Sequence, residues 1–250
     1  MVLVKKIKDK KNVNFEFNKE FIKIIEEKIE LNDSQFIDKS FKELHPSDSA
    51  DIIENLALDN RSKLIKLEGF EIEPEIFVEL NESIQSEILL LLSVTSIANL
   101  LKNLDSDDAI TILENIDKDK KNPVLDLLPP KDRFLLEEGL GYPEDSAARI
   151  MQREFTAIPS NWSVGQTIDY LRESKTLPEE FLEIFVLDSE FKPIGTVPSS
   201  KVLRTSRSNK MISIMREMQV LIPVTMDQEE VGHTFENYNL TSAGVVDKNN

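Results

Sequence analysis

Pairs of branched apolar residues recur through the first half of the chain at Ile52/Ile53, Leu64/Ile65, Ile76/Phe77, Ile88/Leu89, Leu100/Leu101, Ile112/Leu113 and Val124/Leu125, twelve residues apart each time. Single apolar residues keep the same register at Leu44, Leu56, Leu80, Leu92, Leu104, Ile116 and Leu128, and only Glu68 breaks the series. Three units are close copies: Ile52-Ile-Glu-Asn-Leu56, Leu100-Leu-Lys-Asn-Leu104 and Ile112-Leu-Glu-Asn-Ile116. Twelve residues at about 100° each fall roughly 120° away from a whole number of turns, so one continuous helix cannot keep these positions on one stripe. The chain must therefore break and restart in each unit as a helix of about two turns. Pro46, Asp59-Asn60, Pro74, Asn81, Ser93, Asp105-Ser106, Asp117 and Pro129-Pro130 stand near the unit starts as breakers or N-caps. Helices this short are unstable alone, and stacking buries their paired residues. The expected result is a right-handed α-solenoid, entered by an amphipathic helix with Phe17, Phe21, Ile24, Ile25 and Ile29 inward.

The pattern changes beyond residue 150. Glu154 to Ile158 reads as a strand, Ser163 to Arg172 as a helix, Phe185 to Asp188 and Gly195 to Val197 as strands, and Ser200 to Arg204 as a helix. A second round begins at Met215, with Val220 to Val224 extended, Gln228 to Tyr238 helical and Ala243 to Val246 extended. The second round stops at Asn250 without the closing hairpin and helix of the first, which is expected of a fragment of a longer polypeptide.

Composition narrows the chemistry. The 250 residues contain no Cys and two His, which excludes disulfide frameworks, thiolate nucleophiles and thiolate metal sites. The formal net charge is −16. It is divided as +4 over residues 1–11, −15 over 12–140 and −5 over 141–250. Such acidity argues against a nucleic-acid partner. No apolar run is long enough to cross a bilayer, and no signal peptide fits the start. No Walker loop, nucleophile elbow or dinucleotide fingerprint is present, so an enzyme is not expected. His45, before Pro46, reads as a turn residue, and His233 as a solvated helix position.

Three strings carry a resemblance: Leu44-His-Pro-Ser-Asp-Ser-Ala-Asp-Ile-Ile-Glu-Asn-Leu56, Leu104-Asp-Ser-Asp-Asp-Ala109, and Tyr142-Pro-Glu-Asp-Ser-Ala-Ala-Arg-Ile-Met151. They resemble the cytosolic N domain of MgtE-type magnesium transporters and its junction to the next domain. The two later rounds resemble a pair of CBS (cystathionine β-synthase) modules, the second incomplete. The resemblance implies a multidomain α and α+β chain. Its parts would be a flexible basic N-terminus at 1–14, an acidic helical N domain at 15–140, a first CBS module at 141–208 and a partial second module at 209–250. It further implies a cytoplasmic Mg²⁺-sensing region that gates its own transmembrane domain, with homodimerisation through the CBS modules. The alternative is a soluble CBS-containing scaffold that senses an adenosine nucleotide.

Candidate Mg²⁺ ligands follow from the same resemblance, since hard cations take oxygen ligands and Mg²⁺ keeps much of its water. They are Asp107 and Asp108 in the acidic cluster with Asp105, and Asp227, Glu229 and Glu230 in the second module. Thr111 and Asn239 replace two further acids of the family pattern. The competing reading of both groups is helix capping by acids in a first turn. The ribose-binding Asp of nucleotide-binding CBS modules corresponds to Lys201, which cannot accept hydrogen bonds from ribose hydroxyls; ATP is therefore expected to bind weakly or not at all at this half.

Overall fold

A computed structural model describes residues 19–178 and 180–247. Phe17 and the basic stretch of residues 1–14 lie outside the described residues. The chain forms two compact units, one built from residues up to 104 together with 111–133, the other from 105–110 and 134 onward.

The first unit is helical. Its elements are α1 (Lys19–Glu30), α2 (Ser34–Lys42), α3 (Pro46–Asn55), α4 (Leu58–Ile65), α5 (Pro74–Glu79), α6 (Glu82–Leu91), α7 (Val94–Leu101), the latter half of α8 (Ser106–Asn115), α9 (Lys118–Asp126) and the start of α10 (Pro130–Leu140). Every helix from α2 to α10 except α5 begins on one twelve-residue grid. Ile52, Ile53, Leu64, Ile88, Leu113 and Val124 of the paired series are fully buried. Ile65 is only half-buried. In the entry helix, Phe21, Ile25 and Ile29 are buried and Ile24 half-buried. Caps stand where the breakers are: Asn81 Oδ1 accepts from the Ile84 N–H at 3.1 Å and Ser93 Oγ from the Ser96 N–H at 3.0 Å. His45 is the N-cap of α3, its Nδ1 accepting from the Ser47 N–H at 3.3 Å.

Packing joins helices that are not chain neighbours: α3 lies on α5, α4 on α6, and α7 on α9. Polar links join both neighbouring and more distant helices. Arg61 of α4 is buried, and its Nη1 donates to the carbonyls of Ile53, Glu54 and Leu56 that α3 leaves open at its C-terminus. The same guanidinium forms a two-pronged pair with Glu87 of α6 at 2.9 and 2.8 Å. Gln85, one helix pair later, caps the Phe77 carbonyl of α5 at 3.0 Å, and Lys120 donates to the carbonyls of Leu89, Leu90 and Leu92 at the end of α6.

Glu68 marks a real interruption. The α4 helix stops at Ile65, Gly69 takes a left-handed φ of +84°, and α5 starts four residues late at Pro74. Buried Phe70 packs edge-on against Phe41, with ring centroids 5.6 Å apart.

The second unit continues through α10, α11 (Ala147–Ile150), β1 (Ala157–Pro159), α12 (Val164–Glu173), β2 (Glu183–Leu187), β3 (Pro193–Pro198), α13 (Ser199–Arg204), α14 (Met211–Ile214), β4 (Arg216–Glu217), β5 (Leu221–Pro223), α15 (Gln228–Tyr238) and β6 (Gly244–Val246). β1 pairs parallel with β2, β2 antiparallel with β3 and β3 antiparallel with β4; β5 and β6 form a separate parallel pair. The two rounds are alike in their core step, strand, helix, parallel strand, as their similar patterning predicts. Ser163 and Gln166 form a capping box at the start of α12. Ile158, Val164, Ile184, Val186, Val197, Val202 and Met211 make the apolar centre between sheet and helices. The short α14 and β4 have no counterpart in the sequence reading, being too brief to show a period. The fold class is thus the expected one, a stack of short helices followed by two α+β rounds.

Candidate functional site

The start of α8 gathers acid. Asp105 precedes the helix and Asp107 and Asp108 lie in its first turn. The segment after α11 returns to this point within the second unit. Ser106 is buried, and its hydroxyl donates to Glu154 Oε2 at 2.8 Å while its backbone N–H donates to the same oxygen at 3.2 Å. The Arg153 N–H donates to Ser106 Oγ and to Glu154 Oε2, at 3.0 and 3.1 Å. Gln152 Nε2 donates to Asp105 Oδ2 at 2.8 Å. Glu154 therefore fills part of the capping role that the sequence offers to the aspartates.

The electrostatics of this cluster are adverse to its own charge. Burial, then the neighbouring Asp108 and Asp105, push the Asp107 carboxyl up to about 6, although the N–H groups of Asp107 and Asp108 pull the other way. Burial and Glu154 raise Asp105, and burial and Asp105 raise Asp108. A helix N-terminus favours charged acids, yet all three carboxyls are raised, so crowding and desolvation outweigh the helix end here. Such a surplus of hard oxygen charge fits a hard divalent cation better than any soft metal.

The second group sits at the start of α15. Asp227 is its N-cap, accepting from the Glu229 N–H at 2.9 Å, and Glu229 and Glu230 are exposed in the first turn. The cap is tied to the junction before α11: the Gln228 N–H donates to the Asp145 carbonyl at 2.8 Å, Ala147 N–H to the Met226 carbonyl at 2.7 Å, and Ala148 N–H to the Val224 carbonyl at 3.0 Å. Asp145 thereby stands beside Asp227. Among the described residues, no three Asp, Glu or His side chains converge closely enough to enclose a metal ion.

Glu154, Gln152 and Asp145 belong to these surroundings, and none of them is among the site residues expected from the sequence. Each reaches its partner across 47 to 83 residues of chain, and no local pattern announces such a return. Lys201 is occupied structurally: its Nζ donates to the Ile214 carbonyl at 2.7 Å, closing the end of α14. His233 is exposed on α15.

Residues 44–145 match the family model of the MgtE intracellular N domain. The magnesium transporter MgtE of Bacillus subtilis is 23% identical over 208 residues, 83% of this chain and 46% of that protein. That of Thermus thermophilus is 24% identical over 229 residues, 90% of this chain and 50% of that protein. The chain thus spans about half the length of these curated relatives. Among solved structures, the soluble part of a magnesium transporter superimposes with a TM-score of 0.75 at 22% identity, over 91% of this chain and 90% of that one. The cytosolic domain of the Mg²⁺ channel MgtE in complex with ATP gives 0.78 at 23% identity, over 90% and 92%.

Proposed function

We propose that the chain, whose residues 44–145 match the family model of the MgtE intracellular N domain, is the cytosolic Mg²⁺-sensing region of a magnesium transporter, which gates an attached transmembrane domain through Mg²⁺-dependent compaction. The observation that carries this reading is the acidic start of α8, where Asp107 is pushed up to about 6 by burial and by its neighbours. Carboxylates held together against their own repulsion are a store of free energy that a divalent cation releases on binding. Asp107 and Asp108 would hold Mg²⁺ there, and Asp227, Glu229 and Glu230 would supply a second acidic face. The ion's contribution is charge neutralisation and bridging through oxygen ligands and retained water.

The chain's own part is positional. Ser106 fixes Glu154, Gln152 orients Asp105, and the Asp145–Gln228 link fixes the start of α15. Occupancy of the compact state then rises with Mg²⁺ only in proportion to the ion's preference for that state. Homodimerisation through the CBS modules, and location on the cytoplasmic face of the membrane, belong to the same proposal. The engagement of Lys201 with Ile214 supports the expectation that this half binds ATP weakly or not at all.

X-ray scattering with and without millimolar Mg²⁺ at fixed ionic strength tests the reading. The radius of gyration is expected to fall with Mg²⁺, and to fall less in Asp107→Asn/Asp108→Asn. An unchanged radius in the native chain would sink the switch.

A further inference from the structure

The helical hairpin that closes the first round has two unlike faces. α13 and α14 both pack on β3, and Val202, Met211 and Ile214 belong to the apolar centre. The outward side carries Leu203, 74% exposed, and Ile212, 51% exposed, beside the exposed Arg204 and Lys210. The hairpin is fastened at several points. Lys201 Nζ ties α13 to the Ile214 carbonyl of α14 at 2.7 Å, and Lys210 Nζ donates to the Asn161 carbonyl at 2.8 Å. The N–H groups of Val164 and Gly165 donate to the carbonyls of Asn209 and Arg207 at 2.8 and 2.9 Å. Leu203 and Ile212 are thus presented to solvent by a bonded scaffold.

Charge here has the opposite sign to that of the chain. Residues 199–214 contain Lys201, Arg204, Arg207 and Lys210 and no acid, in a protein of net −16. α12, packed beside α13, adds Arg172 against Asp169 and Glu173, so the local balance is five basic groups to two acids, a net of +3. Asp169 holds Arg207 at 2.8 and 2.6 Å, whereas Lys201 and Lys210 donate to neutral carbonyls and keep their charge. At physiological salt the Debye length is about 8 Å, so a partner at this face meets the local charge rather than the sum over the chain. Exposed aliphatic side chains set among Lys and Arg fit an anionic bilayer, which takes the former at its acyl boundary and the latter at its phosphates. A second copy fits poorly, because a twofold contact through this face would bring two surfaces of like charge together. We propose that the outward face of α13 and α14 docks on an anionic phospholipid membrane, with Leu203 and Ile212 entering the headgroup layer. The proposal does not depend on Mg²⁺ or on the acidic starts of α8 and α15.

Co-sedimentation of the full chain with phospholipid vesicles, in EDTA at physiological ionic strength, tests it. The chain should bind vesicles of equal parts phosphatidylglycerol and phosphatidylcholine and should not bind pure phosphatidylcholine. Each basic group near such a surface is worth about fivefold in affinity, so Arg204→Glu/Lys210→Glu should lower binding at least about a hundredfold. Leu203→Ser/Ile212→Ser should lower it about tenfold. Lys118→Glu/Lys131→Glu makes the same change in net charge at exposed positions of α9 and α10 and should leave binding nearly native. The altered side chains are exposed, so the urea midpoint of each variant should stay native, which separates lost docking from lost folding. Absence of binding, equal binding to both vesicles, or an equal loss in the Lys118/Lys131 variant overturns the proposal. A change in the oligomeric state of the Arg204/Lys210 variant without vesicles also overturns it, because a second copy would then cover this face. Displacement by inorganic phosphate at matched phosphate concentration does so too, since it would mark a small-anion site instead of a bilayer surface.

Discussion

The two compact units reach order by different means. In the first, each helix finds its partners within three helices along the chain, and the same twelve-residue spacing that sets the apolar pairs sets the caps. In the second, the acidic start of α8 is completed by residues 152–154, and the start of α15 by residues 145–148. The first architecture is written in a period, the second in long-range hydrogen bonds that leave no period. A stacked repeat is therefore open to reading from sequence, whereas the surroundings of a site between distant segments are not.

The sharpest way to break this comparison is to remove a polar link from the repeat. Arg61→Met leaves Glu87 and the three α3 carbonyls without their donor, and should cost about 3 kcal/mol in urea unfolding. A loss below 1 kcal/mol would mean that apolar stacking alone holds the first unit. In the second unit, a Cβ at Gly195 would collide with the Arg216 carbonyl oxygen and Met215. Gly195→Ala should therefore separate β4 from β3 and cost about 2 kcal/mol.

Asp107→Asn tests the site itself, in the absence of Mg²⁺. The folded carboxyl titrates near 6 and the unfolded one near about 4. Its contribution to stability is thus fully present below the unfolded value and lost as pH rises through 6. After discounting for solvent screening, the variant should be more stable by about 1 kcal/mol at pH 7 and unchanged at pH 4. Equal stability at both values would show that the acids at α8 do not strain one another. The smallest effect is expected at Glu68→Leu, which restores the apolar series on paper. Because the position is exposed after α4 has ended, the change should stay within about 0.5 kcal/mol.

Legibility followed the same division. The starts of α3, α6 and α7, the burial of the paired residues and the repeated strand–helix–strand step were readable, because caps and apolar spacing act over a few residues. The late start of α5 was marked by Glu68 and Pro74; that Gly69 and Phe70 turn the gap into a loop depends on φ and on Phe41. At α8, the acids were visible, but Glu154 and Gln152 were not. Nor could sequence weigh burial against helix-end stabilisation at Asp107, since desolvation is set by what packs over the carboxyl.

One feature of the helix ends bears on how such a chain is copied. α3, α5 and α6 finish in an extended residue, Leu56, Leu80 and Leu92, whereas α2, α4, α7 and α9 finish in a right-handed one, Glu43, Lys66, Lys102 and Leu127. From α2 to α5 the two endings alternate, and the extended type then occurs twice in succession at α5 and α6. A gene duplication that copies one helix inherits the wrong ending for its next neighbour, while one that copies a pair inherits both. Over α2 to α5 the unit that keeps both endings when copied is thus a pair of helices, 24 residues from the start of α2 at Ser34 to the start of α4 at Leu58.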